Sequence, residues 1–347
     1  YDLISLSYNL DDNLLSVGST AFGICRVDTD SVSVATATTT GTTIVSFANT
    51  YRSAKILLSI TGDNSVASGG EYEFDELNLI HDGTTVNVAE YGNLITEVEG
   101  DPISGMGTYS AYIDGSNVKL DWFPDATNAG IGTTAIVNTV NVSLASTGAD
   151  GAEGTIDLKH ARLQSTPTSI AATTSPTANV IAEYVSQSSS SVDGYDAAYF
   201  VIQISDTTNS TYQMCEMLVL DDYLAETETG DTYDVEYGNV GVSGIGTLGS
   251  RVVSDSNVGI ATVQLLYTPI ASIACDCVVY VNAFKDQDDA KDNIALGDNG
   301  SVTTEYGLYE GTENNLKKAF ELQHNNERIF ERSFEGNNSD AVDVDTD

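Results

Sequence analysis

Glu76-Leu77-Asn78-Leu79-Ile80-His81-Asp82 returns later in the chain as Glu216-Met217-Leu218-Val219-Leu220-Asp221-Asp222. Working outward, Glu90-Tyr91-Gly92-Asn93 returns as Glu236-Tyr237-Gly238-Asn239, and the apolar run closed by Pro124 returns as the run closed by Pro269. The order is the same in both halves, and the interval from the glutamate of Glu-Tyr-Gly to the proline is 34 residues in the first and 33 in the second. Self-similarity at this scale identifies two tandem modules of one fold. Entry into each is also shared: Tyr51-Arg52-Ser53-Ala54-Lys55 leads into Ile56–Ile60, and Tyr195-Asp196-Ala197-Ala198-Tyr199 leads into Phe200–Ile204.

Each module spans roughly a hundred residues of short Val-, Ile-, Thr- and Tyr-rich runs separated by Gly, Asn, Asp and Ser turns, the pattern of a β-sandwich. The fold expected is all-β: two tandem β-sandwich modules with a linker and a small β-rich C-terminal segment. The reading divides the chain into an N-terminal extension (1–34), module 1 (35–148), a linker (149–173), module 2 (174–285) and a C-terminal segment (286–347) that opens a further module. The linker assignment rests on Ser, Thr and Ala with Pro167 and Pro176, after a short strand at 156–163. Leu316–Phe334 reads as a helix or as two strands about Asn325-Asn326, with strands preferred. The chain opens at Tyr1 without a methionine and stops at Asp347, which suggests processing or a piece of something longer.

In the first copy Leu77–Ile80 runs into His81-Asp82-Gly83-Thr84 and returns as Val86–Glu90, which predicts a tight hairpin with Gly83 at positive φ. The second copy lengthens this connection: Glu76 to Glu90 spans 14 residues, Glu216 to Glu236 spans 20. The added loop is acidic, and Asp221, Asp222, Glu226, Glu228 and Asp231 are the candidates for a contact particular to module 2. The alternative is a solvated loop.

Thirteen Lys and Arg stand against 51 Asp and Glu, a formal net charge of -38. Phosphate recognition needs clustered basic residues, so the expectation is no nucleic-acid partner and no attraction to anionic lipid. No run of apolar residues is long enough for a membrane-spanning helix, and membrane insertion is not expected. Neighbouring carboxylates could hold calcium, with Asp286, Asp288, Asp289, Asp292 and Asp298 as the candidate ligands; the competing reading is that they are solvated, and no other cofactor is expected.

Cys25, Cys215, Cys275 and Cys277 lack the density of a disulfide framework and lack zinc spacing. Cys275 and Cys277 alternate on one strand and share a face, which suits buried free thiols. His81, His160 and His324 are far apart, and Asp221 replaces His81 in the repeat, so no shared general base is expected. Gly244-Ile245-Gly246-Thr247-Leu248-Gly249 matches a dinucleotide-binding pattern without its strand-to-helix context and reads as a glycine-rich turn. Glu76, Glu90 and their counterparts Glu216 and Glu236 read as structural, bonded to backbone or turn groups. Trp122, the counterpart of Tyr267, reads as core or module-interface packing and not as a sugar platform. No catalytic residues are assigned.

Glu76 with His81-Asp82-Gly83-Thr84, Glu90-Tyr91-Gly92, Gly107-Thr108 and the strand closed by Pro124 resembles a β-module found in virion structural proteins of contractile-tailed phages of marine cyanobacteria. Glu216–Leu220, Glu236-Tyr237-Gly238, Gly246-Thr247-Leu248 and Leu265–Pro269 look like the same module. Phe320–His324 and Ile329–Gly336 resemble the opening of a fibre-type module. The resemblance implies a non-enzymatic fibre, neck, tail or capsid-associated protein. It would assemble in the host cytoplasm with copies of itself and other virion proteins, in contact with a host surface receptor if it lies at a tip. A secreted adhesin or filament subunit at the cell surface shares the physical features, and a polysaccharide-degrading enzyme is the third reading.

Overall fold

Period-two burial sets the strands. Along Asn117–Pro124 every second side chain (Val118, Leu120, Trp122, Pro124) is buried, and along Thr134–Ala145 the alternation runs from Ala135 to Asn141. Such alternation puts one face of each strand on a core and the other outside. The computed structural model describes residues 6–9, 14–17, 19–36, 40–62, 71–96, 105–125, 132–145, 153–157, 161–187, 194–221, 230–242, 244–255, 260–285, 295–296, 302–303, 335–336 and 342–343. Every regular element among them is a β-strand, and the protein is all-β.

The strands are β1 (Leu6–Asn9), β2 (Leu14–Val17), β3 (Ser19–Phe22), β4 (Cys25–Ala35), β5 (Thr42–Ala48), β6 (Tyr51–Gly62), β7 (Tyr72–His81), β8 (Val86–Ile95), β9 (Gly107–Asp114), β10 (Asn117–Pro124), β11 (Thr134–Ala145), β12 (Gly154–Asp157), β13 (Ala161–Ile170), β14 (Asn179–Gln187), β15 (Tyr195–Asp206), β16 (Thr211–Asp221), β17 (Thr232–Gly241), β18 (Gly246–Asp255), β19 (Ile260–Pro269) and β20 (Cys275–Lys285). Module 1 pairs a six-stranded sheet, β3-β4-β11-β6-β7-β8, with a three-stranded sheet, β5-β10-β9. Module 2 repeats the topology strand for strand as β12-β13-β20-β15-β16-β17 and β14-β19-β18. Register repeats too: Phe74 pairs with Leu94 as Met214 pairs with Val240, and Ile80 with Asn87 as Leu220 with Tyr233.

Each sandwich encloses its own core. Ile44, Phe47, Leu58, Leu77, Leu120 and Trp122 fill the first; Tyr184, Phe200, Met217, Leu265, Tyr267 and Cys277 fill the second. Gly107 and Gly246, at the starts of β9 and β18, leave room for the rings of Trp122 and Tyr267, which a Cβ at either glycine would overlap. The glycine-rich stretch after Gly244 therefore starts an edge strand under an aromatic ring.

Two boundaries differ from the sequence reading. The supposed N-terminal extension contributes β3 and β4, and β4 pairs with β11 along its whole length. The supposed linker contains β12 and β13, and β13 pairs with β20 from Ala161 to Ile170. Pro167 did not exclude a strand because β12 reaches only as far as Ser165, leaving β13 an open edge beyond it, where a residue without N–H is tolerated. The non-strand connection from β13 to β14 is 171–178.

The β7–β8 connection is four residues, not a two-residue turn. Gly83 has φ 100°, and Asp82 Oδ1 closes the loop by accepting from the backbone N–H groups of Thr84 and Thr85, each at 2.7 Å. These bonds hold the Asp82 carboxyl down at about 2.

A second unit, Lys285–Asp347, contains two short antiparallel ladders among its described residues: β21 (Ala295–Leu296) with β22 (Val302–Thr303), and β23 (Glu335–Gly336) with β24 (Val342–Asp343). Phe320–Leu322 and Ile329–Phe330 lie outside the described residues.

Candidate functional site at the module junction

The outer faces of the two six-stranded sheets are themselves apolar in part, and the modules pack through them. Ile24, Cys25, Ile80 and Leu144 of module 1 form a third core with Val201, Met214, Val240, Val278 and Tyr280 of module 2. The order of layers is therefore small sheet, large sheet, large sheet, small sheet.

A polar cluster is enclosed in this junction. Lys55 Nζ lies on β6 beside Glu76 of the neighbouring β7 and reaches Glu216 of β16 at 2.6 Å. Glu216 is fully buried and also accepts from Asn78 Nδ2 at 2.5 Å and from the Tyr199 hydroxyl. Asn78 Nδ2 donates at 2.8 Å to the carbonyl of Gly238, whose φ of 68° and close approach to Asn78 and Glu216 leave no room for a side chain. Ser53 donates to Gln203 Oε1 at 2.7 Å, Gln203 Nε2 donates to the Ala145 carbonyl at 2.7 Å, and the Tyr91 hydroxyl donates to the Asn239 carbonyl. The Arg52 guanidinium sits 4.3 Å from the centre of the Tyr212 ring. Burial and the Glu216 carboxylate push the Tyr199 hydroxyl far above its ordinary range. Such a network, satisfied on nearly every side, fixes one geometry between the modules.

Glu76 and Glu216 were expected to bond backbone or turn groups. Instead they meet one buried lysine contributed by the first copy, where the second copy has Tyr199. Glu90 and Glu236 are exposed.

A second polar cluster is confined to module 1. Glu73 and Asp75 point inward from β7, and Asn93 Nδ2 donates to both, at 2.5 and 2.7 Å. Glu73 also accepts from the backbone N–H of Met106 at 2.7 Å, and Asp75 accepts from the Tyr109 hydroxyl. Burial, then the charge of Asp75, raises the Glu73 carboxyl to about 7; burial raises that of Asp75 to about 6. The pair can hold a proton near neutrality. Gln213 and Cys215 take these positions in module 2, so the pair is not part of the shared scaffold.

Of the loop candidates, Asp221 is tied to its own module, accepting from Ser186 Oγ at 2.6 Å and from the Tyr184 hydroxyl at 3.4 Å. Asp231 is exposed; Asp222, Glu226 and Glu228 lie outside the described residues. Asp286, Asp288, Asp289, Asp292 and Asp298 lie outside them as well, as do His160 and His324. Among the described residues no three His, Cys, Asp or Glu side chains are grouped to hold a metal. His81 is buried at the end of β7, its Nε2 donating to the Tyr51 carbonyl at 2.8 Å and its Nδ1 accepting from Gly83 N–H at 3.1 Å. Burial lowers its pKa, and the neutral ring closes the hairpin.

No protein family, curated protein or solved structure matches this chain.

Proposed function

We propose that this chain is a structural component of a phage virion, a fibre, neck, tail or capsid-associated protein that acts through self-assembly and protein–protein contacts and not through catalysis. The observation that carries the reading is that the outer faces of the large sheets are surfaces built for contact between modules. Buried Ile80, Leu144, Met214 and Val240 lie outside both sandwich cores, where an isolated sandwich would present polar residues to water. A duplicated sandwich whose outer face is a docking surface suits a role carried by area and rigidity. The likeness of both copies to a virion module supports the same reading.

An antibody raised against the purified chain, applied to particles produced by the genome that encodes it, tests this directly. Labelling at a discrete place on the particle is the expected result. Labelling of a cell surface with bare particles replaces the reading with the adhesin, and release of reducing ends from a polysaccharide by the purified chain replaces it with an enzyme.

A further inference from the structure

Residues in equivalent positions of the two outer faces differ sharply in exposure. Met214 and Val240 of module 2 are buried in the junction, at 0% and 8%, and Tyr212 is partly covered beside them. Their counterparts in module 1, Phe74, Leu94 and Tyr72, are 43%, 73% and 45% exposed. The reverse holds for the other half of each face. Asn78 and Ile80 of module 1 are buried, at 0% and 1%, while their counterparts Leu218 and Leu220 in module 2 are 45% and 52% exposed. Val235, counterpart of the partly buried Ala89, is 53% exposed. The internal contact thus joins one half of module 1's face to the opposite half of module 2's face, and leaves the complementary half of each uncovered.

We propose that a second copy of this chain covers these two surfaces. The exposed half of module 1 (Tyr72, Phe74, Leu94) receives the exposed half of module 2 (Leu218, Leu220, Val235) from the other copy, repeating between chains the contact already made within one. The occupant follows from continuity with the junction: each uncovered half is the repeat of a surface whose partner is known, and that partner's repeat is the other uncovered half. Charge points the same way. At a net charge of -38 two copies repel, so association requires contact through uncharged surface, and these six residues carry no charge. The module 2 half also contains a hollow of about 410 Å³ lined by Ala197, Leu218, Leu220, Tyr233, Val235 and Phe284, with room for an aromatic side chain such as Phe74. Two copies that dock reciprocally satisfy all four halves in a closed two-fold pair, whereas copies that dock head to tail form a ring if the rotation closes and a filament if it does not.

This inference rests on the self-assembly reading and names the surface that performs it. Light scattering on four samples tests it: wild type, Phe74→Asp/Leu94→Asp, Leu218→Asp/Leu220→Asp, and an equal mixture of the two variants. Wild type should give a mass of at least two chains. Each variant alone should be monomeric, because every contact needs one half of each kind. The mixture should recover a two-chain species through its one intact contact. A second measurement does not depend on the variants' packing. Ile80 comes within van der Waals reach of Gly241 in the junction, 3.2 Å from the place its Cβ would take. Val240, next to Gly241, shares the junction core with Ile80, and the equivalents of Ile80 and Val240 are Leu220 and Leu94, so Leu220→Cys on one chain and Leu94→Cys on another should form a mixed disulfide on mild oxidation.

Assembly of the module 1 variant at wild-type mass would mean that the module 2 surface pairs with itself, and would overturn the inference. Assembly of both variants, or no mixed disulfide, would place self-association elsewhere and overturn it while leaving the virion reading intact. A monomeric wild type at every concentration would also overturn it, and particle labelling then decides separately whether the virion reading survives.

Discussion

Lys55 and Glu216, separated by 161 positions in the chain, form a buried ion pair at 2.6 Å that joins the two modules. Removing one partner leaves the other charge buried, a loss of about 3–5 kcal/mol. Lys55→Met should therefore destabilise the protein by that order in urea denaturation. The double variant Lys55→Met/Glu216→Met should recover most of the loss, because well-packed apolar replacement of a buried pair is close to neutral. A double variant as unstable as the single one would show that the surrounding hydrogen bonds, not the pair, hold the junction.

Gly107→Ala and Gly246→Ala should each cost about 1–3 kcal/mol by overpacking, since the added methyl overlaps the ring of Trp122 or Tyr267. Gly249→Ala, with nothing within 4 Å of the new methyl, is the control and should be near neutral. Thermal unfolding of the three variants separates ring contact from general loss of backbone freedom.

Stability should fall as pH rises through the range set by Glu73 and Asp75. Both bind a proton more tightly folded than unfolded, with folded values of about 7 and about 6. Unfolded carboxyls titrate near ~4, so the contribution is complete below that pH, declines above it and is gone once pH passes the folded values. Denaturation midpoints from pH 4 to 8 read this slope. Glu73→Gln/Asp75→Asn should flatten it relative to wild type; an unchanged slope would assign the pH dependence to the overall acidic charge.

All four cysteines are buried and free, and burial raises the thiols of Cys25, Cys215 and Cys277 well above their ordinary range. A thiol reagent such as Ellman's should be nearly unreactive with the folded chain and titrate all four thiols in denaturant. Rapid reaction of the folded protein would show that the cores of Cys275 and Cys277 open on the time scale of the assay.

The tandem sandwich was legible because period-two alternation and a repeated Glu-Tyr-Gly both survive in the chain, and the matched places of Trp122 and Tyr267 before Pro124 and Pro269 pointed to packing, in the core or between modules, which the structure resolves as the two sandwich cores. What escaped was the junction. Asn78 and Leu218 sit at one position of the repeat, and local pattern gives no sign that the polar residue is the buried one; burial there is decided by the other module. Lys55 was invisible for the same reason, as lysine in a strand normally faces water. A signal was present in the outward positions of β7 and β16, where Phe74, Ile80, Met214, Leu218 and Leu220 break the expected polar face. The boundaries failed because β4 and β13 pair with strands about a hundred residues away or more, and Pro167 looked like an interruption.

The placement of β11 between β4 and β6 has a consequence for synthesis. As the chain leaves the ribosome, β4 and β6 emerge as two unjoined ribbons, and neither can complete its ladder until residues 134–145 follow. The same wait recurs between β13 and β15 until β20 arrives. Each module is thus assembled by its last strand, which threads into a gap held open by the earlier ones. A nascent chain stalled before Thr134 carries unsatisfied edges that neighbouring polypeptides can pair with, and the long sequence separation makes closure slow. The dense acidic charge, which opposes association of complete molecules, also keeps unfinished ones apart during that interval.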